Sequence, residues 1–217
     1  MYKACIFDLD GTLADTIESI SHCSNEALAR VGLPPQEADS YKQFAGDGYV
    51  VLLKRCLKAA GDEELSKLED MKAAYNEIFA TDCMYHVAPF AGIEDLIENL
   101  KMNGIKTAVL SNKPDKATKE VVGNIFKEGS FDCVQGLHDG IKKKPDPDGA
   151  LEIAQAFGIK PEECVYVGDT DTDMKTGNSA GMFTVGVTWG FRSEEELRVH
   201  NAHAIVNEAS EIFHFFE

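Results

Sequence analysis

Positive charge is scarce in this chain. Its 21 lysines and arginines face 37 aspartates and glutamates, a formal net charge of −16 with histidine neutral. That balance argues against a nucleic-acid partner, and it requires that any anionic ligand be drawn in by a local cation. No apolar run approaches the roughly 20 residues of a membrane span, so no membrane partner is expected. No basic and then apolar leader precedes the first strand-like run, so no secretion signal is expected. Paired cysteine motifs are absent. The six cysteines, at 5, 23, 56, 83, 133 and 164, contain no CxxC. Cys5, Cys133 and Cys164 fall in apolar runs and read as buried free thiols of a reducing cytoplasm. Repeats, low-complexity tracts and disordered linkers are lacking too. A hydrophobic content of 44% is ordinary for a globular protein, and 217 residues accommodate a large core domain with a smaller insertion.

Strand-like apolar runs recur at Lys3 to Phe7, Lys106 to Leu110, Phe131 to Val134, Cys164 to Val167, Phe183 to Val187 and Ala204 to Val206. Between the later runs lie helical spacings: Ile93, Leu96, Ile97 and Leu100; Ala117, Val121, Val122 and Ile125; Leu151, Ile153, Ala154 and Phe157. This alternation predicts crossover connections and a parallel sheet with helices on both faces, an α/β fold. Ligands then gather beyond the carboxyl ends of the strands. One interval breaks the rhythm. From about Thr16 to Met84 only helical spacings occur: Ile20 to Val31, Val50 to Ala60, and Leu65 to Ile78. The expected division is a core of residues 1–15 and 85–217 with an all-helical insert of residues 16–84.

Four polar clusters follow predicted strands. Asp8-Leu9-Asp10-Gly11-Thr12 comes directly behind Ala4 to Phe7. Side chains two apart on a strand point the same way, so two carboxylates emerge together. Such a pair can supply a nucleophile and a proton donor. A hairpin turn at Asp10-Gly11 is the alternative, but Leu13 to Thr16 runs into a helical pattern. Ser111-Asn112-Lys113 offers a hydroxyl, an amide and helix N-terminal N–H groups to an anion, or a plain helix cap. In Lys142-Lys143-Lys144-Pro145-Asp146-Pro147, the prolines restrain the chain and most of all Lys144. Its ammonium can bind phosphate or relieve repulsion between carboxylates, where the alternative is a solvated basic run. Gly168-Asp169-Thr170-Asp171-Thr172-Asp173 crowds three acids, costly without a cation. Oxygen ligands of this kind suit Mg²⁺, while Asp171 reads as a helix N-terminal acid. Together these clusters outline a phosphoryl-transfer site.

In these motifs the chain resembles the haloacid dehalogenase superfamily: Asp8 to Thr12, Ser111, Lys144 ahead of Pro145, and Gly168-Asp169 with Asp173. The resemblance spans nearly the whole chain. It implies a Rossmann-like core with a small helical C1 cap after the first strand, and an Mg²⁺-dependent phosphomonoester hydrolase. Asp8 would attack phosphorus. Asp10 would protonate the leaving oxygen and later take a proton from water. Mg²⁺ would be held by Asp8, the Asp10 backbone carbonyl and Asp169, with Asp173 in support. Ser111 and Lys144 would bind the phosphoryl group, and Lys144 would also fix Asp8. Gly11, Thr12, Asn112 and Lys113 would line the phosphoryl site. An ordinary carboxyl is ionised at pH 7, so as a proton donor Asp10 would need either a raised pKa or a proton gained in the closed complex. The second aspartate, Asp10, disfavours a dehalogenase.

Short runs resemble phosphoglycolate phosphatases: Phe44-Ala45-Gly46-Asp47-Gly48, Pro89-Phe90-Ala91-Gly92, Ser111 to Pro114 and Thr188-Trp189-Gly190-Phe191-Arg192. Gly46 and Gly48 either let the backbone approach a small substrate or form a helix–turn–helix joint. The expected substrate is a small phosphomonoester, 2-phosphoglycolate first. Nucleotides, pyrophosphate or sugar phosphates, or a β-phosphoglucomutase-like transfer, are the alternatives, ahead of a non-catalytic phospho-ligand domain. His200 and His203 read as surface residues, Trp189 as packing, and Arg192 as either a rim residue or a surface charge. A cytoplasmic monomer or homodimer is expected.

Overall fold

The computed structural model describes Met1–Glu217. The chain divides into two compact units, one of Met1–Asp15 with Pro89–Glu217 and one of Thr16–Ala88. In chain order, the elements start with β1 (Ala4–Phe7) and β2 (Ala14–Asp15). Then come α1 (Ile17–Arg30), α2 (Ser40–Phe44), α3 (Tyr49–Ala59) and α4 (Leu68–Asp82). After β3 (Ala88–Pro89) and α5 (Ile93–Met102) the chain forms β4 (Lys106–Pro114), α6 (Asp115–Ile125), β5 (Cys133–Leu137) and α7 (Asp148–Phe157). It ends with β6 (Cys164–Gly168), α8 (Asp171–Ser179), β7 (Phe183–Val187), α9 (Glu194–Val199), β8 (Ala204–Val206) and α10 (Ala209–Phe213).

Unit 1 is built on a six-stranded sheet of order β5-β4-β1-β6-β7-β8, parallel throughout. β1 lies at its centre and all four of its residues are fully buried. Only a strand covered on both faces can be apolar on both. Ile6 stands opposite Ala108 on one side and Tyr166 on the other. The chain passes from β1 to β4 and β5 on one flank, then to β6, β7 and β8 on the other. The strand order therefore reverses beside β1, and the crevice for a ligand opens at its carboxyl end. That is where Asp8 and Asp10 leave the sheet.

Several elements differ from the sequence expectation. β4 does not end at Leu110 but continues to Pro114, so Ser111, Asn112 and Lys113 sit on the strand. β5 runs from Cys133 to Leu137 rather than Phe131 to Val134. The register of β4 against β5 shifts between Leu110 and Pro114. Gly136 allows the continuation, because a Cβ there would collide with Thr118 and the β4 backbone. After Asp8 the chain makes a tight loop, the Leu9 carbonyl accepting from the N–H groups of Thr12, Leu13 and Ala14. Ala14–Asp15 then forms a two-residue strand before α1 begins at Ile17. α2 was not foreseen, since five residues are too few to show a helical period.

Unit 2 is helical up to β3. Cys23 and Leu28 of α1, Leu53 and Leu57 of α3, and Met71 and Tyr75 of α4 are buried. Leu65 precedes α4 instead of opening it. The chain crosses into unit 2 after Asp15 and returns at Pro89, four residues beyond the expected 85. Phe90 N–H donates to the Leu13 carbonyl at 3.1 Å, holding departure and return side by side within unit 1. All six cysteines are free; Cys133 is half-buried and the others are buried. No helix is long and apolar enough to cross a membrane.

Because Ile6 is enclosed on both sides of the sheet, Ile6→Ala is expected to cost about 2–5 kcal/mol. A urea unfolding midpoint unchanged from wild type would contradict that placement.

Candidate active site

The Lys144 ammonium, 3% exposed, lies 2.8 Å from Asp8 Oδ1 and 2.8 Å from Asp173 Oδ1. It joins the end of β1 to the first turn of α8. Asp173 is itself fixed: its Oδ2 accepts from the Thr170 N–H at 3.1 Å and the Thr170 hydroxyl at 2.6 Å. This is a capping box, which satisfies orphan N–H groups at the helix start. Leu9 N–H donates to Asp8 Oδ1 at 2.7 Å. The lysine backbone is held equally firmly. Asn112 receives the Lys144 N–H at 2.8 Å and donates to the Lys144 carbonyl at 3.1 Å. The Asn112 amide is thus engaged with the lysine's own peptide groups. Lys142, by contrast, is exposed and pairs with Asp146 and Asp148. The solvated reading of the basic run holds for Lys142, while Lys144 is buried.

Asp169 completes the cluster from the end of β6. Its Oδ1 accepts from the Thr12 hydroxyl at 2.8 Å and its Oδ2 from the Phe191 N–H at 2.8 Å. Gly11 adopts φ +84°, and a Cβ there would run into the Asp169 carboxylate. Both conformation and space therefore demand glycine. Trp189 Nε1 donates to the Thr12 carbonyl at 3.0 Å. The packing reading of Trp189 missed this tether, and no local spacing signals it. One ligand oxygen each from Asp8, Asp169 and Asp173 lie within 4.8 Å of one another.

Asp10 departs from the rest. Its carboxylate is not in this cluster but receives the Lys113 ammonium, at 2.7 Å to Oδ1 and 2.8 Å to Oδ2. Ser111 is buried and its hydroxyl accepts the Lys113 N–H at 3.2 Å. Gly46 and Gly48 lie in unit 2, between α2 and α3, with φ of +112° and +84°. There Arg55 ties the turn, donating to the Phe44 carbonyl at 2.9 Å and to Asp47 at 2.6 Å. Arg192 is no surface charge: it is buried beside Glu196, Nε to Oε1 3.1 Å. His203 stacks on Phe183 and lies 3.1 Å from the Thr184 N–H through Nδ1.

Three buried carboxylates share one ammonium, and the imbalance is visible in the proton affinities of Asp8 and Asp169. Burial, then repulsion from Asp173, pushes Asp8 up to about 7 even though Lys144 pulls it back. Burial and the charges of Asp173 and Asp8 likewise hold Asp169 well above the usual carboxylate range. Burial works against the Lys144 charge, but Asp173 and Asp8 outweigh it and keep the ammonium protonated. A site of buried oxygen donors with surplus negative charge fits a hard divalent cation.

Residues 5–187 match the family model of haloacid dehalogenase-like hydrolases. The phosphoglycolate phosphatase of Aquifex aeolicus is 31% identical over 189 residues, 87% of this chain and 86% of that protein. A solved structure from Lactobacillus delbrueckii subsp. bulgaricus superposes with TM-score 0.90 at 33% identity, covering 97% of this chain and 96% of the other. The β-phosphoglucomutase of Clostridium difficile, at 23% identity and TM-score 0.74, covers 100% of this chain and 96% of its own and shares the fold.

The charge imbalance has a consequence for stability. An unfolded aspartate titrates near ~3.9, whereas Asp8 in the fold titrates at about 7. Between those values the native state binds the extra proton, so stability falls as pH rises through that window. With EDTA present, Asp8→Asn is expected to exceed wild type in urea midpoint near about pH 8, with the gap closing towards about pH 5. A wild type that is the more stable of the two at the higher pH would contradict the assignment.

Proposed function

Since the chain belongs to the haloacid dehalogenase-like hydrolase family and is a phosphatase, we propose that Asp8 is its nucleophile, through an aspartyl-phosphate. The observation that carries this reading is the Asp8–Lys144–Asp173 bridge beside Asp169. Asp8 presents a carboxylate oxygen whose negative charge Lys144 offsets, so an anionic phosphoryl group can approach an anionic nucleophile. Asp8 forms a bond to phosphorus while the bond to the leaving oxygen breaks. Asp10 gives that oxygen its proton. A water then attacks phosphorus, passes a proton to Asp10, and releases phosphate and a free Asp8 carboxylate. Ser111 and Lys144 hold the phosphoryl oxygens through both halves.

Asp8 and Asp169, with the Asp10 backbone carbonyl, are the groups we assign to Mg²⁺, and Asp173 steadies Asp8 through Lys144. When bound, the cation neutralises charge on the transferring phosphoryl group and on the buried acids. Thr12 and Phe191 orient Asp169 for that task. Asn112 acts by fixing the Lys144 backbone. The helical unit is read as the C1 cap. The six free cysteines fit a reducing cytoplasm.

For the substrate, we favour 2-phosphoglycolate. The Aquifex aeolicus relative supports this, as do the runs at Phe44 to Gly48 and Thr188 to Arg192. The test is kcat/KM across 2-phosphoglycolate, nucleoside monophosphates, hexose phosphates and pyrophosphate, each with Mg²⁺ and with EDTA. The expected outcome is highest efficiency on 2-phosphoglycolate and loss of turnover in EDTA. A hexose phosphate preferred by about tenfold, a difference of about 1.4 kcal/mol in transition-state binding, would overturn the substrate. Full turnover in EDTA would overturn the metal.

A further inference from the structure

Lys113 carries an ammonium whose place the proposed reaction does not explain. Its side chain is only 8% exposed, against 19% for the Asp10 side chain it meets. Both Asp10 oxygens lie within hydrogen-bond distance of Nζ. An ammonium within reach of both oxygens of one carboxylate acts as a point charge that fixes where the group sits, and when one oxygen carries a proton the other still accepts from Nζ. The lysine is aimed by the strand that bears it. β4 extends through Pro114, and from the stretch where its register shifts the Lys113 side chain reaches Asp10 while that of Asn112 reaches Lys144. The Lys113 N–H is bound to the Ser111 hydroxyl at 3.2 Å, and its carbonyl accepts from the Thr118 hydroxyl at 3.1 Å. The two aspartates of the first motif therefore have separate ammonium partners, Lys144 for Asp8 and Lys113 for Asp10.

We propose that Lys113 is the positioning residue for Asp10, holding its carboxyl group where it exchanges protons with the leaving oxygen and with water. This rests on the phosphatase reading above. It assigns Lys113 a task distinct from binding the phosphoryl group, and the two tasks have different kinetic signatures. An alkyl leaving oxygen needs a proton as its bond to phosphorus breaks. A 4-nitrophenolate is a stable anion and leaves without one. The value of kcat/KM reports the steps through the first irreversible one, formation of the aspartyl-phosphate. Misplacing Asp10 therefore lowers kcat/KM for the alkyl ester and spares it for the aryl ester. Losing a phosphoryl contact lowers both alike.

The experiment is kcat/KM of wild type and Lys113→Met on 4-nitrophenyl phosphate and on the alkyl phosphomonoester that wild type turns over fastest. The expected result is a fall of about a hundredfold on the alkyl ester and less than about threefold on the aryl ester, in keeping with the usual contribution of a placed proton donor. The ratio of the two substrates is independent of the folded fraction. Should Lys113→Met give no soluble protein, Lys113→Gln is read by the same ratio. An equal fall on both esters overturns the inference while leaving the phosphatase reading intact. A wild type that hydrolyses neither ester overturns both.

Discussion

One buried ammonium has to offset three buried carboxylates, and much of unit 1 is arranged around that shortage. Lys144 touches Asp8 and Asp173 directly, while Asp169 stands close by with only neutral hydrogen-bond donors among its named partners, Thr12 and Phe191. Charges taken out of water are tolerated only when their geometry is exact and their remaining lone pairs are satisfied. The surplus is the useful part. It raises Asp8 and Asp169 above the ordinary carboxylate range and makes the pocket a better host for a divalent cation than for none. By itself the surplus repels an anion, so a chain with net charge −16 acting on one relies on local cations, Lys144 and the divalent ion assigned to these acids.

The scaffold supplies the geometry that such a cluster requires. β1 is buried on both faces and delivers Asp8 from the middle of the sheet, beside the reversal in strand order. Asn112 grips both peptide groups of Lys144, and the Thr170 capping box grips Asp173. Gly11 and Gly168 leave room for Asp169 and Asp173, which a side chain at either position would displace. These contacts explain why neutral residues of the motifs matter as much as the charged ones. Removing any of them moves an acid or a base without removing it.

Asp8, Asp10 and Asp169 were legible in the sequence because each closely follows an apolar run, and a parallel α/β sheet brings such positions to one edge; Lys144 was legible because Pro145 and Pro147 restrain it. The helical insert was legible because helical spacings stand alone between Thr16 and Met84. What escaped was pairing across distance. Nothing local couples Lys113 to Asp10, which are 103 residues apart, or Asn112 to Lys144, 32 apart. The burial of Arg192 was hidden as well, since its named partner, Glu196, is only four residues on and gives no sign of it. The extents of β4 and β5 were misjudged because Asn112 and Gly136 look like strand ends. In the fold, a register shift and the missing Cβ carry the strands past both.

The central claim is that the lysine-balanced Asp8 carries the phosphoryl group between substrate and water. Rapid acid quench during turnover, followed by mass spectrometry of the digested protein, tests it most directly. The account predicts a phosphoryl group on the peptide containing Asp8, formed within the first turnover and lost as substrate is exhausted. Steady turnover with no phosphoryl group on Asp8 at any quench time would contradict it.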